Sequence, residues 1–252
     1  MVDIVEPEWR ADHVRVTLFS NAIWDGRPEE FIREALGIEA DTTAGRAAAS
    51  ELSATVAWES TNLEVRRTLN RLDLLATAPV VVEGVGPMEG ALGPSIPDAR
   101  ETLARLIEVV TSWCATYPRP VIRLAIGCGA YWESDSKEAA YEKLQQLLPI
   151  LKIDAQRFGE MMFRVNLHKK SSSVPGIDLN RMGIWDAVFI RLASGVMGLP
   201  ANINLEEKHY AHVVLDFSSA AERVDLVSAS DIKKLATELY SELEFFLLRG
   251  VE

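Results

Sequence analysis

The chain reads as one unit written twice, and that repetition limits the folds open to it more than any other feature. Laid on itself with a shift of 108 positions, Arg15–Leu36 meets Arg123–Leu144, with Arg15/Arg123, Ala22/Ala130, Trp24/Trp132, Glu30/Glu138, Glu34/Glu142 and Leu36/Leu144 identical. The shift grows to 109 where Leu52–Val56 falls on Met161–Val165, and to 110 where Leu69-Asn70-Arg71-Leu72 falls on Leu179-Asn180-Arg181-Met182. It reaches 133 where Val80–Glu83 falls on Val213–Asp216. Matches that stay collinear while the shift rises are what duplication followed by insertion produces, whereas chance matches scatter. The jump from 110 to 133 places 23 extra residues in the second copy, and the Gly/Pro-bearing, partly apolar run Ala193–Lys208 is the best location for them.

Hydrophobic periodicity gives each copy the same order of elements. Val14, Val16 and Leu18 alternate with Arg15, Thr17 and Phe19, and Ile122, Leu124 and Ile126 alternate with Arg123 and Ala125, which are strand patterns. A helix follows each strand. The first has Pro28 at its start, Gly37 at its exit and Phe31, Ile32, Ala35 and Leu36 on one face; the second has Ser134 or Ser136 as cap and a stripe of Ala140, Leu144, Leu147 and Leu151. Strands are then predicted near 51–59, 63–76 and 79–83 in the first copy, and near 160–169, 181–192 and 209–217 in the second. Each copy closes with its longest helix, Pro97–Ala115 and Asp231–Arg249.

The expected fold is therefore α+β. It is a tandem duplication of a strand-helix-three strands-helix unit, with antiparallel sheets, helices packed on one face and a pseudo-twofold between the halves. The first repeat is expected over 1–117 and the second over 118–252, with the insertion near 193–208, the two halves packing as one compact unit.

Composition excludes several classes of function. The net charge is −11, no polybasic block occurs, and no Lys precedes Lys137, so general binding to nucleic acid or to an anionic membrane is not expected. No apolar run approaches the roughly 18 residues of a membrane span, and the acidic start Met1–Glu6 is unlike a secretory signal; a cytoplasmic protein is expected. Cys114 and Cys128 are too few for a four-ligand metal site and read as small buried hydrophobes. In Gly84–Gly90 the third glycine of a dinucleotide fingerprint is replaced by Glu89 and no helix follows until about Pro97, so the segment reads as a structural loop. His209 and His212 lie three apart on a strand and point to opposite faces. No recognisable catalytic motif is present, and no cofactor or metal is expected.

What remains is a set of surfaces. On Met161–Lys170 the alternation sends Met161, Phe163, Val165 and Leu167 to one face and Arg164, Asn166, His168 and Lys170 to the other. The matching first-copy face, Ser53, Thr55, Ala57 and Glu59, is neutral to acidic. The cationic row, beside Lys169 and Ser171–Ser173, suits a small anionic ligand or an acidic partner. In the insertion, Val196, Met197 and Leu199 are apolar and form a candidate docking surface. The leading expectation is a non-enzymatic binding or assembly protein that engages a protein partner, or a second copy of itself, through this insertion and the cationic strand face. One alternative is a small-ligand sensor with a cleft between the halves lined by Trp24, Trp132, Arg71 and Arg181. Another is a hydrolase in which Asp25 and Glu133 face each other across the pseudo-twofold.

Overall fold

A computed structural model describes residues 7–46, 50–79, 95–96, 98–194, 204–220 and 225–251. The elements run β1 (Arg10–Ser20), α1 (Pro28–Leu36), β2 (Thr42–Arg46), β3 (Glu51–Trp58), β4 (Thr61–Thr68), β5 (Arg71–Thr77), α2 (Ala99–Thr116), β6 (Val121–Ser134), α3 (Lys137–Leu147), β7 (Met162–Lys170), β8 (Asp178–Ser194), β9 (Asn204–Ser219) and α4 (Ala229–Arg249). All nine strands belong to one antiparallel sheet in the order β2-β3-β4-β5-β1-β6-β9-β8-β7. The first strands of the two halves, β1 and β6, pair at its centre, with Val16 opposite Ile126 and Thr17 opposite Ala125. A single sheet thus crosses both halves.

The helices form where local chemistry starts and stops them. Pro28 occupies the first turn of α1, the Glu30 carboxylate accepts from the Arg27 backbone N–H at 2.9 Å, and Gly37 closes the helix in the left-handed region at φ 71°. Asp98 caps α2 through Glu101 N, Ser136 caps α3 through Ala139 N, and Ser228 caps α4 through Asp231 N. α1 packs on α2, α2 on α4 and α4 on α3, so the four helices make a continuous layer over one face of the sheet. The core lies between the layers. Val14, Val16, Leu18, Leu74, Leu124, Ile126 and Leu215 from the central strands meet Leu103, Leu106, Val110, Leu235, Leu239 and Leu243 from α2 and α4. Each such side chain contributes about 1.5–3 kcal/mol by leaving water.

The structure differs from the sequence reading in the later strands. The run expected as one strand over 63–76 is split by a turn at Leu69-Asn70 into β4 and β5, and β5 takes the place beside β1. The strand expected at 79–83 falls, from residue 80 on, outside the described residues, as do the Gly84–Gly90 loop and the apolar residues Val196, Met197 and Leu199. The insertion is not irregular throughout: β8 continues to Ser194 and β9 begins at Asn204, the two paired to the last residue. The Asn-Arg echo marks no equivalent positions, because Arg71 opens β5 beside β1 whereas Arg181 sits in β8, two strands from β6.

Cys114 and Cys128 are buried in this core, and burial pushes both thiols up to about 12. Neither is expected to react with a maleimide at pH 8 in the native protein, while both react once it is unfolded in urea; mass spectrometry of the labelled chain checks this.

Candidate functional site

β7 is the last strand on the second-half side of the sheet. Its alternation follows the sequence pattern: Arg164, Asn166, His168 and Lys170 are exposed, and Phe163, Val165 and Leu167 are half-buried against the core. The strict period of two places the four polar residues together on the sheet face that carries no helix among the described residues. Arg164 lies opposite Ile184, with its Nη2 3.2 Å from the Met182 sulfur; Asn166 is opposite Met182, His168 opposite Asn180 and Lys170 opposite Asp178. Among the described residues, none of Arg164, His168 and Lys170 forms an ion pair. The outer backbone edge of β7 has no strand partner among those residues either.

The neighbouring Lys169 and serines do not join that row. Lys169 points to the helix side, where it and Arg181 hold the Glu242 carboxylate, Arg181 at 2.6 Å. Burial alone would push the Glu242 carboxyl up, but the hydrogen bonds and charges of Lys169 and Arg181 bring it below its ordinary value. Ser171, Ser172 and Ser173 converge on Glu238 of α4. Its oxygens accept from the three hydroxyls at 2.6, 2.8 and 2.5 Å and from the backbone N–H groups of Ser172 and Ser173 at 2.8 and 3.2 Å. Burial opposes the charge here too, yet these donors hold the Glu238 carboxyl at about 2. The anion expected at the serine loop is therefore supplied by the chain itself.

The four residues expected to line an inter-repeat cleft do not come together. Trp24 is buried beside Trp113, ring centroids 6.3 Å apart, and Trp132 packs on Trp9 at 5.9 Å under the Lys143 ammonium. Arg71 lies on the helix-free face, paired with Asp73 at 2.6 Å and placed over Phe19, while Arg181 lies on the helix face over Phe246. The sheet itself separates the two guanidiniums. Asp25 and Glu133 do not meet either. Asp25, beside Arg119 at 3.6 Å, sits at the Val121 end of β6, and Glu133, beside Lys208 at 3.2 Å, sits at the other end. The rise of an extended strand separates those ends by roughly 40 Å, so an acid/base or metal pair between them is ruled out.

One arrangement was not legible in the sequence. On the helix-free face His212 of β9 lies with Nδ1 2.5 Å from Asp186 of β8, and Tyr131 of β6 stacks on the imidazole at 4.4 Å. Residues 26 positions apart in the chain are brought together by β8–β9 register, which no local pattern states. His209 points to the other face and pairs with Glu207 at 3.4 Å. Among the described residues no group of three or more His, Cys, Asp or Glu side chains is placed to hold a metal ion.

The second distinctive surface is the β8–β9 ribbon. β7 ends opposite Asp186 and β6 ends opposite His209, so from Val188 to Ser194 the only strand paired with β8 among the described residues is β9. At about 3.3 Å per residue this two-stranded arm extends about 20 Å past its neighbours. Phe189 on it is 46% exposed, high for so large an apolar side chain. No helix among the described residues is long and apolar enough to cross a membrane. Comparison with protein-family models, with curated proteins and with solved structures finds no significant match for the chain.

Proposed function

We propose that this protein is a binding or assembly protein that engages a protein partner through the outer part of its second half, the β8–β9 arm and the adjoining β7 edge. The projecting arm carries the reading. A two-stranded ribbon that no further strand extends is marginal in water, and this one, beyond the ends of β7 and β6 among the described residues, carries an exposed Phe189, so a partner laid against it supplies further burial. The arm is tested by shortening it. Phe189 and His209 face each other in register, so replacing residues 190–208 by Asn-Gly joins them through a two-residue hairpin turn. The shortened chain is expected to fold, because the buried residues described for the core lie outside the excised segment, and to lose the partner that the intact chain retains in a cross-linking pull-down. Retention of the same partner by a folded shortened chain overturns the role of the arm.

The same reading takes the chain to be a tandem duplication whose second copy acquired the arm. The order strand, helix, three strands, helix occurs in both halves, with β2 added in the first. The antiparallel β1–β6 pair at the centre and the helix succession α1, α2, α4, α3 support a pseudo-twofold between them. Divergence of one copy from such a scaffold concentrates new binding chemistry where the copies differ, which here is β7 and the arm.

A further inference from the structure

We infer that the β7 edge takes an extended peptide segment of alternating acidic and apolar residues, added to the sheet as a tenth strand. The inference rests on the binding reading above and names the chemistry of the partner. A nine-residue edge strand leaves the outward N–H and C=O of every second residue, about four of each, open to another chain. Added strands use these groups for affinity and the alternating side chains for specificity.

The two faces of β7 specify those side chains separately. On the helix-free face an incoming strand meets Arg164, Asn166, His168 and Lys170; three of these four are basic residues, and although Asp178 lies opposite Lys170 in register, none of the three forms an ion pair among the described residues. Carboxylates at alternate positions of the added strand stand directly opposite them, at the separation where cross-strand ion pairs act. On the helix face the same strand runs beside Phe163, Val165 and Leu167, which are only half-buried because no strand follows them, and apolar residues at the intervening positions complete that burial.

The charge row also excludes the other obvious occupant. Two β7 strands paired antiparallel about Asn166 would set Arg164 of each copy opposite His168 of the other and bring the Lys170 side chains into the same positive field, which blocks self-pairing of this edge.

The probe is a fluorescein-labelled nine-residue peptide alternating Glu and Val, compared with a block peptide of the same composition in which the two residue types are segregated. The alternating peptide is expected to bind at least tenfold more tightly by fluorescence anisotropy, to lose affinity between 50 and 500 mM salt, and to slow amide hydrogen exchange in β7. The variant Arg164→Glu/His168→Glu/Lys170→Glu is expected to bind it at least tenfold more weakly and to accept a Lys/Val peptide instead. The milder pair Arg164→Gln/Lys170→Gln, at exposed positions, serves if the triple variant does not fold. Equal binding of the block peptide, insensitivity to salt, or exchange protection elsewhere than β7 overturns the inference. If the shortened-arm chain loses its partner while the peptide leaves β7 unprotected, the binding reading stands and the acidic strand falls. If β7 is protected and arm shortening has no effect, the edge stands and the arm falls.

Discussion

Replacing Gly183 with alanine is expected to lower stability by about 3 kcal/mol, the upper part of the range for forcing an extra methyl into a filled core. Gly183 lies on β8 with the ring of Trp185 folded over it, and a Cβ at this position would stand 2.1 Å from the Trp185 ring. The ring has nowhere to move. Trp185 is fully buried, with the rings of Phe163 and Phe246 each 6.1 Å away. For a chain of this length, 3 kcal/mol corresponds to a fall in Tm of roughly 6–12 °C. Urea unfolding checks it: the midpoint should drop with the m-value unchanged. The double variant Gly183→Ala/Trp185→Leu should cost much less than the sum of the single changes, because the two share one contact. A loss below about 1 kcal/mol for Gly183→Ala alone, or additive single changes, contradicts the packing described for β8.

The second large effect is expected at Glu238, which is only 8% exposed and receives five donors from the serine loop. Glu238→Gln keeps the shape, removes the charge and turns an NH2 toward groups that are themselves donors. The expected cost at neutral pH is about 2–3 kcal/mol, the range for hydrogen bonds to a buried charged group. The pH dependence gives this prediction its own signature. The folded-state carboxyl is held at about 2 against its ordinary 4.5, so its contribution is fully present above pH 4.5 and is lost as pH falls toward 2. The stability gap between the native protein and Glu238→Gln should therefore be constant near neutrality and close on acidification across that window. A gap that stays constant down to the acid limit, or widens there, would show that the serine loop does not read the charge.

Both positions show how far the amino-acid pattern carries. A glycine inside a strand signals a close approach by something, but that the approaching group is the side chain two residues on could not be read, because it depends on Trp185 being pressed flat by α4. The triple serine after a basic strand looked like a place for an external anion. It is filled by Glu238 because α4 runs past it, and the contact joins residues 65–67 apart in the chain. The cationic row of β7 was legible residue by residue, since a period of two needs only local information. That β7 is an edge strand, and so able to use the row, needed the strand order.

The sequence by itself determined the α+β class, the four helices described and the alternating strands β1, β6 and β7, all set by interactions within a few residues of chain; it did not show β2 or the turn that divides β4 from β5. It also determined which face of β1, β6 and β7 is apolar. Only the tertiary structure decided which strands are neighbours. It merged the halves into one nine-stranded sheet through β1 and β6, placed β5 beside β1, and paired the two ends of the insertion, up to Ser194 and from Asn204, as an arm. It also set Asp25 and Glu133 at opposite ends of β6 and Arg71 and Arg181 on opposite faces. The physical reason is the range of the forces. Propensity and periodicity act along the chain, whereas register and strand order minimise exposed apolar area and unpaired backbone over the whole molecule, and that minimum has no local signature.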